Sequence, residues 1–361
     1  ELDVEEGTLV GSVLSGPEGI CAAPIDRDGW IDFNTGVRNA SQDFERVQTN
    51  VYDPMLMYFS SGTSGNPKMV LHNSTYALGH IPTAKHWHNV RPDGIHFTIA
   101  DTGWGKAVWG KYYGQWIMEV FTYDFDRFHP AEILDLIDKY QITTLCCPPT
   151  MYRLMMQEDF ERFDLSSLEY STTAGEALNP DLFDFWKANT GLTIFEGFGQ
   201  TETPLTCANL THSVPRPGSM GRPNPLYELE IKRDDGSRCD VGETGEICIK
   251  MDPRPEGIMM EYYRNPEKTD DAIYDGWYHT GDMCWSDEDG FFWYVGRNDD
   301  VIKSSGYRIG PFEIESVLLE HDAVRECAVT GVPDPVRGKA VKATIVLADG
   351  YAPSDALTTE L

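Results

Sequence analysis

The sequence predicts an α/β fold: a large multi-layer domain of mainly parallel sheets flanked by helices, with a β-rich subdomain, followed by part of a small α+β unit. Three observations predict it. Between about Asp93 and Phe198, short apolar runs alternate with segments whose apolar residues recur at helical spacing. From Glu228 to Val295 the runs become aromatic and β-branched, separated by Gly- and Asp-rich turns. After Pro311 one amphipathic stretch is followed by two alternating ones.

The elements follow in order. Leu9–Leu14 reads as a strand, and polar Asn39–Glu45 as the opening of a helix. Met55–Phe59 and Met69–Leu71 flank a loop, giving strand–loop–strand. Ile95–Ile99 is a strand, and Pro130 suits the first position of a helix on which Ile133, Leu134, Ile137 and Tyr140 make an apolar face. Thr143–Cys147 is a short buried strand ended by Pro148-Pro149, and Met151, Leu154 and Met155 mark another helix. Leu168–Thr172 and Thr193–Phe195 are strands around a helix opened by Asn179-Pro180 and closed by Gly191. Glu228–Lys232, Glu246–Lys250 and Gly290–Val295 are strands of the β-rich part. Pro311 starts a helix, Cys327–Val332 and Val341–Leu347 are strands, and Ser354 caps a last helix.

Composition narrows the function. With 361 residues and 41% hydrophobic content the chain can bury a large core. The formal net charge is −29 and no Lys/Arg block is present, which argues against nucleic acid as a partner. The eight cysteines include no C-x-x-C pair and no metal-ligand spacing with histidine, as expected of free thiols in a reducing cytoplasm. No run is long and apolar enough to span a membrane, and no signal peptide is visible.

The chain centres on Phe59–Lys68, Phe-Ser-Ser-Gly-Thr-Ser-Gly-Asn-Pro-Lys. Glycines let backbone N–H groups turn inward around an anion, the hydroxyls add donors, and Lys68 adds a cation. By itself such a loop is as readily a plain hairpin turn. It is not a P-loop, because only Thr63 and Ser64 separate Gly62 from Gly65 and Asn66-Pro67 precede Lys68. Neither G-x-G-x-x-G nor G-x-S-x-G occurs.

Ser61–Lys68 closely resembles the phosphate loop of adenylate-forming enzymes, the superfamily of acyl-CoA synthetases, luciferases and peptide-synthetase adenylation domains. Further motifs follow in that family's order: Thr173–Leu178, Glu196–Glu202, Arg216–Pro223, Asp275–Asp282, Gly296–Asp300 and Lys303–Gly310. The resemblance implies that Ser61, Gly62, Thr63, Ser64, Gly65 and Lys68 hold phosphates, and that Gly175, Glu176 and Ala177 pack on adenine. Glu196, Gly197, Phe198, Gly199 and Gln200 would line the nucleotide, Phe198 beside the adenine; Thr201 would contact the α-phosphate region and Glu202 hold Mg²⁺. Asp282 and Arg297 would take the ribose, Arg308 would approach the phosphates, and Ser305-Gly306 would line the pantetheine path. Thr201, Glu202, Arg308 and Lys68 are the residues it assigns to catalysis.

The same resemblance divides the chain into a nucleotide- and acyl-binding domain at 1–298 and a lid at 299–361, with a hinge at Asp299. It also implies a chain shortened at both ends, lacking part of the N-terminal subdomain and the adenylating lysine of the lid, so that this chain alone should adenylate poorly. The implied reaction joins a carboxylate to ATP, giving acyl-adenylate and pyrophosphate, then to coenzyme A. Ala100-Asp101-Thr102-Gly103-Trp104 points to the acetyl- and medium-chain acyl-CoA synthetase branch and away from amino-acid adenylation. In acetate-specific relatives a tryptophan precedes the Gln-Thr-Glu; Gly199 stands there, so an opened pocket for a medium-length, branched or aromatic acyl group is expected. An acetyl- or propionyl-CoA synthetase, in which another aromatic refills the space, and a non-catalytic fragment that binds ATP or AMP are the alternatives, and a homodimer is possible.

Overall fold

The structure, a computed structural model, describes residues 12–14, 30–60, 67–100, 103–125, 129–175, 178, 180–304, 307–334 and 337–361. By backbone proximity the chain forms two units, Glu1–Asn50 and Val51–Leu361. In the first, strand Ser12–Leu14 pairs in parallel with Trp30–Asp32, and helix Phe33–Asn39 follows. The helix expected to begin at Asn39 in fact ends there. Ser41 explains it: its hydroxyl donates to the Asp43 carbonyl and accepts from the Asp43 N–H, a local turn that competes with helix.

The second unit is built on a sheet of twelve strands among the described residues. Phe121–Tyr123, Ile95–Thr98, Thr144–Cys146, Tyr170–Ala174 and Ile194–Phe198 lie side by side in that order, all parallel. Helices Pro130–Tyr140, Pro149–Met155 and Pro180–Thr190 make the crossovers. Each begins at a proline, whose missing N–H would have had no helical partner. Gly191 stops the last of them at φ +74°, as its C′ position requires. Phe97, Ile133, Leu134, Ile137, Leu145, Tyr152 and Trp186 form the core between these layers.

Beyond Ile194–Phe198 the sheet continues antiparallel through Cys207–Ala208, Ser219–Pro223, Phe292–Arg297, Trp277–Ser286, Gly245–Lys250 and Leu229–Lys232. Within this sheet parallel pairing among the described residues is confined to five strands, where helical crossovers allow it. Strands Pro54–Ser60 and Lys68–Asn73 pair antiparallel, as the loop chemistry predicts, and Glu261–Tyr262 adds to that sheet. A four-stranded antiparallel sheet carries Ile302–Ser304, Tyr307–Ile309, Val324–Asp334 and Gly338–Leu347, with helix Pro311–Leu319. Ser354 caps the final helix by accepting from the Leu357 N–H at 3.1 Å.

Candidate functional site

Ligand sites in α/β sheets lie beyond the carboxyl ends of the parallel strands. Here Tyr170–Ala174 and Ile194–Phe198 end on a cavity of about 930 Å³. Lys68, Gly175, Glu196–Glu202, Asp282, Arg297 and Asp299 line it, so residues far apart in the second unit's sequence share one wall. The cavity opens at strand four and five of the parallel set, where the chain leaves parallel pairing, not at the crossover reversal beside Ile95–Thr98.

Asp282 is the centre of this wall. The residue is only 4% exposed. Tyr294 donates to Oδ1 at 3.0 Å, Gln200 donates to Oδ2, and Arg297 lies 3.5 Å from Oδ2. Burial raises its pKa to about 6; Arg297, Tyr294 and Gln200 pull it back. Arg297 also donates to the Thr280 carbonyl at 3.0 Å and pairs with Asp299 at 3.5 Å. Gly281 makes room for this arginine: at φ +73° a Cβ there would stand 2.9 Å from the guanidinium. Gln200 is itself held at both ends, donating to Thr280 O at 2.8 Å and accepting from Tyr278 at 2.6 Å.

Glu196, expected to line the nucleotide, lies on the cavity wall, and its carboxylate is already engaged by the protein. Sitting within strand Ile194–Phe198 at 5% exposure, it accepts from the N–H of Leu178 at 3.2 Å and of Gly218 at 2.8 Å. It clamps the loop after Ala174 to the turn before Ser219. Burial pushes its carboxyl up to about 8 against the opposing pull of those two amides. Glu202 is buried, and Tyr262 donates to its Oε1 at 2.8 Å. Lys68 projects over the Tyr262 ring, 4.9 Å from its centre. The Thr201 carbonyl accepts from His72 at 2.8 Å.

Gly199 does not open a space. A Cβ there would meet the Pro204 carbonyl oxygen and stand 2.5 Å from the Trp109 indole, which fills the position. Gly197 is likewise pressed against Leu205 and Trp87. The expectation of an enlarged pocket at Gly199 is therefore corrected: helix Gly105–Lys111 supplies the ring that residue 199 lacks.

Ser61 to Gly65, Glu176, Ala177, Ser305 and Gly306 lie outside the described residues, and of Arg308 only the strand is described. Four residues emerge that the motifs did not single out: Tyr262, Tyr278, Tyr294 and Lys106. The three phenols hold Glu202, Gln200 and Asp282, and Lys106 donates to the Ala174 carbonyl at 2.6 Å. Tyr278 lies inside a quoted motif; the others carry no sequence signal beyond being polar tips on apolar runs.

A family model described as AMP-binding enzyme matches residues 13–263, and one described as AMP-binding enzyme C-terminal domain matches 313–361. The chain is 45% identical over 348 residues to the acyl-coenzyme A synthetase ACSM5, mitochondrial, of Mus musculus, covering 95% of this chain and 60% of that protein. It is 43% identical, over the same shares, to acyl-coenzyme A synthetase ACSM4, mitochondrial, of Rattus norvegicus. The chain thus spans about 60% of the length of the curated relatives it matches. Among solved structures it superposes with TM-score 0.85 and 31% identity on the anthranilate CoA ligase AuaEII bound to anthranoyl-AMP, covering 98% of this chain and 66% of that one. An acyl-CoA synthetase of Brucella canis gives TM-score 0.71 at 34% identity, over 93% and 62%. The cytoplasmic expectation is overturned by these curated relatives, which are named mitochondrial. The described cysteines are free thiols, but a free thiol reports a reducing surrounding and not which compartment supplies it. No described helix is long and apolar enough to cross a membrane.

Proposed function

This chain belongs to the AMP-binding enzyme family, and on that premise we propose that it activates a carboxylic acid with ATP and passes the acyl group to coenzyme A. The carboxylate oxygen attacks the α-phosphorus, the bond to pyrophosphate breaks, and the acyl-adenylate forms. The thiol of coenzyme A then attacks the acyl carbon and AMP leaves. The observation that carries this reading is the convergence of Lys68, Gly175, Gly197–Glu202, Asp282 and Arg297 on one cavity.

In this reading Asp282 accepts from the ribose hydroxyls, since a carboxylate held by three protein donors still has lone pairs to offer. Gly175 and Phe198 flank the adenine, and Lys68 with Thr201 meets the phosphates. Glu196 acts through position alone, keeping the adenine side of the wall in register. Mg²⁺ fits the donor set at Glu202: a hard carboxylate on the cavity wall with one oxygen held by Tyr262. Bound there, it would offset phosphate charge. The division at Asp299 into a large domain and a lid is part of the same proposal, supported by the separate sheet that starts at Ile302.

Although Trp109 fills the space beside Gly199, we propose a medium-length or aromatic acyl group on the likeness to the anthranilate CoA ligase AuaEII, with Trp109 setting its limit. Calorimetry with AMP and ATP should show binding, and ATP–pyrophosphate exchange across a panel of carboxylates should identify the acid. A folded chain that binds no adenine nucleotide would overturn the reading. In a chain-length series of non-hydrolysable acyl-adenylate analogues, Trp109→Ala should move the optimum to longer acyl groups, each added methylene contributing about 0.8 kcal/mol. An unmoved optimum removes Trp109 from the acyl site.

A further inference from the structure

Away from the nucleotide-facing residues, the cavity wall carries a group of donors that the proposed reaction does not use. Glu246 and Cys248 are two apart on strand Gly245–Lys250 and so share one face. His279 stands directly opposite Cys248 on the neighbouring strand. His279 Nδ1 is 3.0 Å from Glu246 Oε2 and 3.4 Å from Cys248 Sγ, and one donor atom of each residue lies within 4.8 Å of the other two. We propose that Glu246, Cys248 and His279 form a binding site for a borderline-soft divalent cation, zinc being the type.

The chemistry and the spacing agree. Thiolate and imidazole with one carboxylate is a donor set that selects zinc over magnesium or calcium. Tetrahedral zinc with bond lengths of about 2.0–2.3 Å needs donor atoms about 3.3–3.6 Å apart, so shifts of up to about 1 Å bring the three donors to that spacing. The donors are already oriented from behind. The Tyr274 ring stacks on His279 at 3.7 Å and 3°, and the Gly281 N–H holds the second Glu246 oxygen at 2.8 Å. An entry path exists, because Glu246 and His279 line the cavity with side chains 21% and 11% exposed, while Cys248 is fully buried beside them. Three protein donors leave the fourth position for water or a ligand from the cavity.

Binding is a proton exchange. Without metal, His279 Nδ1–H donates to Glu246 and burial keeps the Cys248 thiol protonated. With metal, the Cys248 proton goes to solvent, the His279 proton moves to Nε2, and the freed sulfur and Nδ1 lone pairs bind the cation. Affinity therefore rises with pH.

The test uses the reduced 361-residue chain titrated with Co²⁺ as a coloured stand-in for zinc. One Co²⁺ per chain should bind with a thiolate-to-cobalt charge-transfer band, and Zn²⁺ should abolish it. Cys248→Ser should remove the band, and His279→Asn should weaken Co²⁺ binding at least about tenfold, the lower end of what even outer partners of a metal ligand contribute. Circular dichroism confirms that the variants are folded. No band in the wild type, or an undiminished band in folded Cys248→Ser, overturns the site. Should Cys248→Ser not fold, unchanged Co²⁺ affinity in His279→Asn overturns it equally.

Discussion

The cavity wall and the core directly behind it are both buried and both rich in titratable groups, yet they are built in opposite ways. On the wall, Asp282, Gln200, Glu202 and Glu196 each have named donors or acceptors, and burial drives the two acids Asp282 and Glu196 upward. Behind it stand His72, His80, His88 and His96, all fully buried and all driven downward by burial. His88 and His96 meet threonine hydroxyls, but both His80 nitrogens and the second His72 nitrogen have no partner among the described residues. Desolvation is the common cause; its sign differs because it always favours the neutral form. The wall spends its hydrogen bonds on fixing groups that a ligand can meet, and the core accepts unpaired imidazoles behind a closed packing of Tyr76, Trp87 and Trp109.

The strongest way to break the comparison is at the point where the two regions touch. Gly199→Trp would force an indole into the volume held by Trp109 and against the Pro204 carbonyl. Overpacking of this kind costs about 1–3 kcal/mol, and more where backbone blocks the way, as here. We expect a fall in urea midpoint with lost nucleotide binding, not a folded protein with altered acyl preference. A stable Gly199→Trp protein would mean that the core behind the wall yields more than its packing indicates.

Acid should separate the two regions next. Each histidine's folded pKa is lowered, to about 4 for His72 and about 3 for His80 and His96, from 6.5. Between those limits the unfolded chain binds more protons, so stability falls as pH drops from 6.5 towards 4. Glu196 and Asp282 act with the opposite sign. Their folded pKa values are raised, so their contribution is present at low pH and is lost as pH rises through about 4 to 6 for Asp282 and about 4 to 8 for Glu196. With four histidines against two acids we expect a net loss of Tm on acidification below pH 6. Replacing Glu196 with Gln should flatten the curve between pH 6.5 and 8 and steepen the acid limb below pH 6, because the opposing slope of the carboxyl is removed. Thermal melts across that range check both signs.

The smallest effect concerns Asp282 alone. A ribose hydroxyl needs the ionised carboxylate as acceptor, so AMP affinity should fall as pH drops through about 6, approaching tenfold per pH unit. Asp282→Ala should lose on the order of 1–3 kcal/mol of binding free energy and abolish that pH dependence. Calorimetry at two pH values measures both, and a pH-independent affinity in the wild type would place the ribose elsewhere.

Much of this was legible in the chain. Alternating apolar runs and proline-started helices announced the parallel strands, since periodicity and the missing proline N–H act locally. The motifs at Lys68, Gly175, Glu196–Glu202, Asp282 and Arg297 named the cavity wall, because turns and acceptors are properties of short segments. Other features depended on packing across long separations. Nothing near residue 199 in the chain says that Trp109, far earlier in the sequence, fills the space beside it. Nothing near Glu196 says that its carboxylate will meet the amides of Leu178 and Gly218. Nor does spacing reveal that strand register sets His279 against Cys248. Local chemistry determined which residues could serve; only the folded sheet, by deciding which atoms lose water and which find one another, determined what each of them does.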